Sequence, residues 1–334
     1  MSNVQVTIAV DAMGGDHAPD VVLSGIDAAL AADPGISVIV TGPSDLVTPF
    51  AADRDRVRAV ATTEIIDMSE HPANAVRSKK DSSIVVGCRL VRDGEAQGFF
   101  SAGSTGACMA AATLTMGRIK GVLRPAIATV IPAGERPCVL LDIGANADCK
   151  PEYLVQFAHM GGAYAEVALG RQDPTIGLLN IGQEPTKGSQ LALEAHALMA
   201  VEVPGFAGNV EGRDIPVGTV DVVVTDGFTG NVAVKLLEGL ASTLFRQIKQ
   251  TMTANPMRTA AAAVLKNSML ELRARVDSET YGGAPLLGVD GVCIIGHGSS
   301  SAKAVAAGIS VAARAVRGSL NDRIADSIKG PTAG

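Results

Sequence analysis

The sequence predicts an α/β protein of three layers, in which helices cover both faces of a mostly parallel sheet. Short β-branched runs alternate with longer segments of helical periodicity, which is the pattern of such sheets. The 37 glycines among 334 residues carry no three-residue period, which indicates many tight turns between elements rather than a collagen-like chain. The length suits a single α/β catalytic domain over residues 1–334 with a sizeable core.

Six predicted strands each end in a Gly-rich or Asn-rich loop that opens a helical segment. The strand-to-loop junctions lie at residues 4–17, 98–106, 139–148, 175–182, 222–231 and 292–299. Because loops that follow parallel strands emerge at the carboxyl edge of a sheet, we expect all six to converge on one crevice. That crevice is the expected active site.

Residues 232–277 differ from the rest, because two helical stretches flank Ala254-Asn255-Pro256 with no strand between them. We predict a helical hairpin that extends from the domain. Apolar residues recur along it at helical spacing, at Leu237, Leu240, Leu244, Ile248, Met257, Ala261, Leu265, Met269 and Leu272. Two interpretations stay open: packing in the core or a dimer, and contact of the apolar face with an anionic membrane surface, since Arg and Lys residues flank it.

Composition and charge exclude several classes of protein. The net charge of -6, the 3% of aromatic residues and the lack of Trp argue against a nucleic-acid surface. Five cysteines without CxxC or Cys/His spacing argue against a disulfide framework and a zinc site, so no metal is expected. The first ten residues lack a signal-peptide pattern and no apolar run is long enough to span a bilayer. We therefore expect a cytoplasmic protein whose membrane contact, where it exists, is peripheral.

The Gly-rich loops predict anion binding. A loop at a helix N-terminus presents unpaired backbone N–H groups and the positive end of the helix dipole, and phosphate is the natural ligand. The Walker A pattern is absent and the dinucleotide fingerprint is not met, so no nucleotide cofactor is expected. The candidate residues for substrate and phosphate binding are Asp11, Gly14, Gly15, Asp16, Ser104, Thr105, Gly106, Asn146, Asp148, Gly188, Asp226 and Gly227.

Four further residues are candidates for catalysis: Lys187, His297, Asn231 and Asn180. Lys187 lies between a predicted strand end and a helix, where its ammonium could supply a point charge to phosphate. His297 is flanked by two glycines beyond a strand, and is either a structural loop histidine or a hydrogen-bond donor and acid. Cys149, between Asp148 and Lys150, is a less favoured candidate nucleophile.

Several long motifs, in order along nearly the whole chain, resemble those of the bacterial PlsX family of phosphate acyltransferases. They are Ile8-Ala9-Val10-Asp11-Ala12-Met13-Gly14-Gly15-Asp16-His17-Ala18-Pro19, Ser101-Ala102-Gly103-Ser104-Thr105-Gly106-Ala107, Leu141-Asp142-Ile143-Gly144-Ala145-Asn146-Ala147-Asp148-Cys149-Lys150-Pro151-Glu152, Asn209-Val210-Glu211-Gly212, Thr225-Asp226-Gly227-Phe228-Thr229-Gly230-Asn231 and Gly296-His297-Gly298-Ser299. The segment Gln183 to Ser189 departs from the family pattern but keeps Lys187.

The resemblance implies an enzyme that makes acyl phosphate from long-chain acyl carrier protein thioesters and inorganic phosphate, for phospholipid synthesis. It also implies an isocitrate/isopropylmalate dehydrogenase-like fold and a homodimer. The hairpin is expected to take part in membrane association, and the product to pass to a membrane glycerol-3-phosphate acyltransferase. No cofactor is implied.

Phosphate near neutral pH is already an anion and a thiolate is a good leaving group, so positioning and oxyanion stabilisation are expected to dominate catalysis without a covalent intermediate. Two alternatives stay open at this point. One is a metal- and NAD-dependent hydroxyacid dehydrogenase, which the fold permits. The other is a non-catalytic membrane scaffold, which the apolar hairpin permits.

Overall fold

The structure is a computed structural model that describes residues 4–132, 136–275 and 282–329. The described residues form one sheet of eleven strands in the order β3-β2-β1-β4-β11-β10-β5-β6-β9-β7-β8. The strands are β1 (Val6–Asp11), β2 (Ile36–Gly42), β3 (Val57–Ala61), β4 (Gly98–Ser101), β5 (Ala126–Ile131), β6 (Cys138–Leu141), β7 (Ile176–Asn180), β8 (Phe206–Glu211), β9 (Val222–Val224), β10 (Ala284–Leu287) and β11 (Val292–Ile295).

Helices connect most of these strands. The α-helices are α1 (Asp20–Ala32), α2 (Ser44–Ala52), α3 (Pro72–Ser78), α4 (Ser83–Arg92), α5 (Thr105–Ala111), α6 (Pro151–Leu169), α7 (Gln190–Glu202), α8 (Gly227–Met252), α9 (Pro256–Arg275), α10 (Ala302–Arg317) and α11 (Leu320–Lys329). A π-helical turn at Ala112–Met116 continues α5, and a 3-10 turn spans Gly212–Asp214. All six strands expected before the Gly-rich loops are present.

The helices begin where the sequence supplies caps. Pro151 occupies the first turn of α6, where its missing N–H costs nothing. The side chains of Ser189, Asp226 and Ser301 accept a backbone N–H three residues on, at the starts of α7, α8 and α10. At the far end of α6, Gly170 takes the left-handed conformation with φ 65°, which glycine adopts without steric cost.

The sheet consists of two parallel blocks that run in opposite directions. Strands β3, β2, β1, β4 and β11 are parallel to one another, as are β6, β9, β7 and β8. Between the blocks, β10 is antiparallel to β11 and to β5, and β5 is antiparallel to β6. These three reversals make the strands of the two blocks point in opposite directions. The six loops therefore do not leave one edge of a single parallel sheet, and their convergence on one crevice stays a prediction.

The pairing register brings the two sets of strand ends to one level of the sheet. Ile294 of β11 is opposite Pro285 of β10. Continuing the β10–β5 register by one residue puts Pro285 level with Ala128 of β5. Ala128 is in turn opposite Leu141, the last residue of β6. With β10 and β5 between them, β11 and β6 are three strand spacings apart, roughly 14 Å in a flat sheet. The strand ends of one block thus lie beside those of the other.

Two main hydrophobic clusters cover the faces of the sheet, which confirms the three-layer arrangement. One packs β-strand residues such as Val10 and Val222 against α1, α6, α7, α10 and α11. The other packs residues such as Phe99 and Cys293 against α3, α4 and α5. A smaller cluster beneath the start of α8 covers β6 and β9.

The predicted helical hairpin is present as α8 and α9, joined at residues 253–255. It begins at Gly227, five residues earlier than expected, because Asp226 caps α8 directly after the β9 loop. Apolar side chains along it are exposed, among them Leu236 (67%), Leu240 (62%) and Val264 (83%). Residues 276 and 277 of the predicted hairpin lie outside the described residues. No helix within the described ranges is long and apolar enough to cross a membrane.

Packing between α1 and α10 leaves no space for a side chain at Gly25, where an added Cβ would lie 2.5 Å from Cβ of Val305. We expect Gly25→Ala to lower the free energy of unfolding by about 1–3 kcal/mol, since overpacking outweighs the gain in helix propensity. Gly239 in α8 is a matched control, because nothing lies within 4 Å of its added Cβ. Urea unfolding should show Gly239→Ala unchanged or more stable, and equal stabilities would contradict the packing account.

Candidate active site

The first loop group consists of the loops that follow β1, β4 and β11. Asp11, at the end of β1, is buried and accepts hydrogen bonds from the Ser101 hydroxyl at 2.7 Å and the Met13 N–H at 2.9 Å. The Ser101 hydroxyl in turn accepts the N–H of Gly103 at 3.0 Å. Burial raises the pKa of the Asp11 carboxyl, and these hydrogen bonds oppose the rise. Asp11 therefore fixes the loops of β1 and β4 to each other and is not a surface ligand.

Glycines allow the close approach of these loops. A Cβ on Gly14 would lie 2.6 Å from the Gly103 nitrogen, and Gly15 has φ +112°. The N–H of Asp16 donates to the Gly298 carbonyl at 2.7 Å, which ties the β11 loop to the β1 loop. A small depression between them is lined by Gly14, Gly15, His17, Ala102, Gly298 and Ser300.

The loop after β4 leads directly into α5. Ser104 is the cap residue of this helix and is half-buried, while Thr105 is exposed. Gly106 packs against Pro72, where an added Cβ would lie 2.6 Å from the proline ring. The first N–H groups of a helix have no partner within it, so this edge of the group offers backbone donors.

His297 is exposed above the first loop group. Its Nδ1 accepts the N–H of Ser299 at 3.3 Å and lies 2.8 Å from the Ser299 hydroxyl. Because Nδ1 is the acceptor, the neutral imidazole carries its proton on Nε2. Within the residues that the structure describes, the Nε2–H group is thus free to donate a hydrogen bond to a substrate oxygen.

The second loop group consists of the loops after β6 and β9, and it is built on Asp142. Its carboxylate is fully buried and accepts five hydrogen bonds. Oδ1 accepts the N–H groups of Ile127, Gly144 and Ala145 at 3.0–3.2 Å. Oδ2 accepts the backbone and side-chain N–H groups of Asn146 at 2.8 and 2.9 Å.

The other predicted residues of this group mostly have structural partners. The second amide hydrogen of Asn146 donates to the Pro125 carbonyl at 2.8 Å, so its side chain has no free donor. The Asp226 carboxylate accepts the N–H and hydroxyl of Thr229 as the cap of α8. A negative cap at this helix end disfavours a second anion there. Both side chains therefore have structural roles in this loop group, and their predicted contacts with substrate stay predictions.

Three further predicted residues complete the second loop group. Gly227 lies where a Cβ would be 2.7 Å from the Asn146 carbonyl oxygen, so only glycine fits. Asn231 is exposed and lies against Gly144, where an added Cβ would be 3.7 Å from its Cγ and 3.9 Å from its Nδ2. Asp148 is exposed at the end of the same loop.

The third loop group is the segment from Asn180 to Gly188 after β7. The Asn180 amide donates to the Lys187 carbonyl at 2.9 Å while its oxygen accepts the N–H of Ile181 at 2.8 Å, which closes the loop. Asn180 is thus a loop-forming residue. Gly188 has φ +107° and lies against Asn180. Lys187 is exposed, and within the described part of the chain its ammonium has no ion-pair partner.

The first and second groups lie on the same face of the sheet. Ile143 and Ala145 of the second group pack against the hydrophobic cluster that contains Ala107 and Cys108 of α5, the helix opened by the first group. The third group follows β7, which pairs directly with β9. The first and second loop groups therefore share one face of the sheet, and the third group emerges from the strand beside β9.

Cys149 has the properties of a structural thiol. Burial raises its pKa to about 12, with the nearby carboxylate of Asp142 adding to the rise. Its Sγ donates to the Asn146 carbonyl at 3.5 Å. At neutral pH it is protonated, which disfavours nucleophilic catalysis.

Two residues that organise the site were missed as site residues in the sequence, Ser101 and Asp142. Both occupy the strand-to-loop step, Ser101 as the last residue of β4 and Asp142 directly after β6. A polar residue that immediately follows a buried apolar run is the signal that could have identified them. The partners that only the fold reveals are the distant ones: Ile127 for Asp142, and Asp11 for Ser101.

The fold is shared with two classes of enzyme. A phosphotransacetylase from Streptococcus pyogenes aligns with a TM-score of 0.62 and 16% identity, over 94% of this chain and 94% of that chain. A 4-hydroxythreonine-4-phosphate dehydrogenase from Klebsiella pneumoniae aligns with a TM-score of 0.55 and 12% identity, over 94% of this chain and 99% of that chain. These likenesses concern the fold alone, and confirm a dehydrogenase-like α/β architecture that also serves acyl transfer.

Proteins with similar sequences show which family of enzymes the chain belongs to. The family model described as "Fatty acid synthesis protein" matches residues 6–323. A phosphate acyltransferase from Desulfitobacterium hafniense (strain Y51) is 51% identical over 321 residues, which are 95% of this chain and 96% of the relative. One from Heliobacterium modesticaldum is 47% identical over 328 residues, 97% of this chain and 98% of the relative. The chain therefore belongs to this family, the PlsX phosphate acyltransferases, and is an acyltransferase.

Asp142 offers a direct test of the second loop group. We expect Asp142→Asn to lower the free energy of unfolding by about 3 kcal/mol, because an NH₂ group would face backbone N–H donors in place of a carboxylate oxygen. Asp148→Asn, an exposed change in the same loop, should stay within about 0.5 kcal/mol of the parent. Urea unfolding measures both, and similar values for the two variants would contradict the role of Asp142.

Proposed function

We propose that this acyltransferase moves a long-chain acyl group from acyl carrier protein onto inorganic phosphate and releases acyl phosphate and the free carrier, for phospholipid synthesis. The observation that carries the proposal is the identity of about half, over nearly the full length, with proteins named phosphate acyltransferase. The Gly-rich loops support it, because such loops suit an anionic substrate.

The proposed step is a direct attack. A phosphate oxygen bonds to the thioester carbonyl carbon, the C–S bond breaks, and the carrier leaves as a thiolate that takes up a proton. The only partly exposed thiol beside the loops, within the described residues, is Cys149, whose pKa of about 12 disfavours a covalent acyl-enzyme. Catalysis then depends on holding the two substrates together and on donors to the developing oxyanion, one of which is typically worth about 3 kcal/mol.

In this proposal the groups that act on the substrates come from the first and third loop groups, which lie on either side of the second. Neutral donors belong to the first group, where His297 presents Nε2–H and α5 presents backbone N–H groups. The positive charge belongs to the third group, where Lys187 is exposed beside Gly188. A phosphate dianion is stabilised best by the cation, while an oxyanion needs donors alone. We assign Lys187 to phosphate and His297 to the thioester oxygen.

The hairpin is the proposed association surface. Its exposed leucines, such as Leu240 and Leu244 at 62% and 53%, form an apolar face that a second copy would bury in a homodimer. Arg246 and Arg258 near the turn suit contact of the tip with an anionic bilayer. In this proposal the enzyme works in the cytoplasm at the inner membrane face. Its acyl phosphate then passes to a membrane glycerol-3-phosphate acyltransferase.

The release of free carrier thiol from long-chain acyl carrier protein tests the main proposal. We expect the rate to rise with phosphate concentration to saturation, and acyl phosphate to be trapped by hydroxylamine in equal amount to the thiol. Sulfate at the same ionic strength is the control, since it lacks the nucleophilicity of phosphate. Thiol release at the same rate without phosphate would contradict the proposal.

Lys187→Ala tests the phosphate assignment. We expect it to raise KM for phosphate by roughly tenfold or more, through loss of a charge-assisted contact, while KM for the acyl carrier changes little. Lys329→Ala is a matched control, because that lysine is exposed and forms only a surface pair with Asp326. Unchanged phosphate dependence in Lys187→Ala would remove this residue from the phosphate site.

A further inference from the structure

A cavity of about 320 Å³ lies between α6 and α10, above Val130 of β5. These helices and Val130 belong to the cluster on the face of the sheet opposite α3, α4 and α5. On α6 the lining begins at Tyr164, roughly 20 Å along the helix from its first residue, and on α10 it begins at Ala307, roughly 8 Å from the first residue. The cavity is therefore separate from the loop groups of the candidate active site.

The walls of the cavity are apolar stripes. On α6, Tyr164, Val167 and Ala168 follow helical spacing, and Ala307 and Val311 do so on α10. The volume is about twice that of a cavity of ~150 Å³ that admits benzene, and it falls at the lower end of the ~300–1,000 Å³ range of small-molecule sites. The size and the lining suit a flexible apolar chain of moderate length.

Two polar side chains in this lining lack partners. Tyr164 is only 3% exposed, yet within the described residues its hydroxyl takes part in no hydrogen bond. The Tyr164 hydroxyl is not one of the fully buried polar atoms that lack a partner in the described residues, so it keeps some accessible surface and can donate its proton to a ligand atom. Burial raises the pKa of Tyr164 to about 12, although the charge of Arg314 opposes the rise, so the hydroxyl remains a donor at neutral pH.

Arg314 lines the same cavity, one turn beyond Ser310 on α10. Its neighbours of like charge are neutralised: Arg317 pairs with Asp33 at 2.6 Å and Arg323 pairs with Glu166 at 2.6 Å. In the described chain Arg314 forms no ion pair. A guanidinium that is free beside an apolar cavity is suited to a carboxylate or phosphate.

We propose that this cavity binds a single-chain amphiphilic anion, with the chain between α6 and α10 and the head group at Arg314 and the Tyr164 hydroxyl. The head-group chemistry is shared by a free fatty acid and an acyl phosphate. The site does not depend on the proposed function, because its occupation is a binding event that needs no turnover.

Titration calorimetry with decanoate, decyl phosphate and decanol tests the site and its source of ligand. We expect at least one of the two anions to bind roughly tenfold or more tightly than decanol, since a charge-assisted contact is absent from the alcohol. Preference for decanoate identifies a fatty acid, and preference for decyl phosphate identifies an acyl phosphate. Equal binding of all three ligands would overturn the head-group assignment, and the absence of binding would overturn the site.

Four variants locate the binding. Arg314→Gln should weaken binding of the preferred anion roughly tenfold and leave the binding of decanol unchanged. Tyr164→Phe should also weaken binding of the anion. Val311→Phe should abolish binding by filling the cavity, with Val167→Phe as a second filling variant in case the first unfolds. Arg92→Gln is the control, since Arg92 is exposed and pairs only with its neighbour Asp93.

Two results separate this site from the proposed function. Anion binding that persists in both filling variants, with circular dichroism unchanged, would overturn the cavity as its location. Loss of phosphate-dependent thiol release in an enzyme that still binds the anion would contradict only the proposed acyl transfer. Both measurements use the full chain.

Discussion

The arrangement of the functional loops depends on the antiparallel pairing of β10 with β5. Each of the two parallel blocks is an ordinary α/β unit in which helices cover the strands and loops follow the carboxyl ends. The β10–β5 pair joins them head to head, so the strand ends meet at one level of the sheet but point in opposite directions. Together with the reversals at β11–β10 and β5–β6, this pair makes the loops of the two blocks leave the sheet in opposite directions.

Each block holds its loops with a buried carboxylate at a strand end. Asp11 accepts from Ser101 and Met13 in the first block, and Asp142 accepts five hydrogen bonds in the second. A buried carboxylate is costly unless its oxygens are satisfied, so the N–H groups around it are held in fixed positions. Fixed positions of this kind would lower the entropic cost of holding a substrate at these loops.

Sequence reasoning identified the loops correctly, but several of the side chains that it assigned to substrate form hydrogen bonds within the loops. Asn146, Asn180 and Asp226 are polar residues in Gly-rich loops, and nothing in the local sequence separates a ligand donor from a loop-forming hydrogen bond. The structure separates them because it shows their partners, the Pro125 carbonyl, the Lys187 carbonyl and Thr229. Lys187, His297 and Asn231 keep exposed side chains and remain candidates.

The sequence alone determined the class of fold, the six strand-to-loop junctions, the hairpin and the family, because each depends on local periodicity, on turn residues or on contiguous motifs. The tertiary structure decided the strand directions, the separation of the loops into three groups, and the cavity with Tyr164 and Arg314. These depend on contacts between residues far apart in the chain, such as the pairing of Leu286 with Ile127. A buried apolar run predicts that a strand lies inside the sheet but not its direction relative to distant strands, so only the pairing shows which way the loops of the second block emerge.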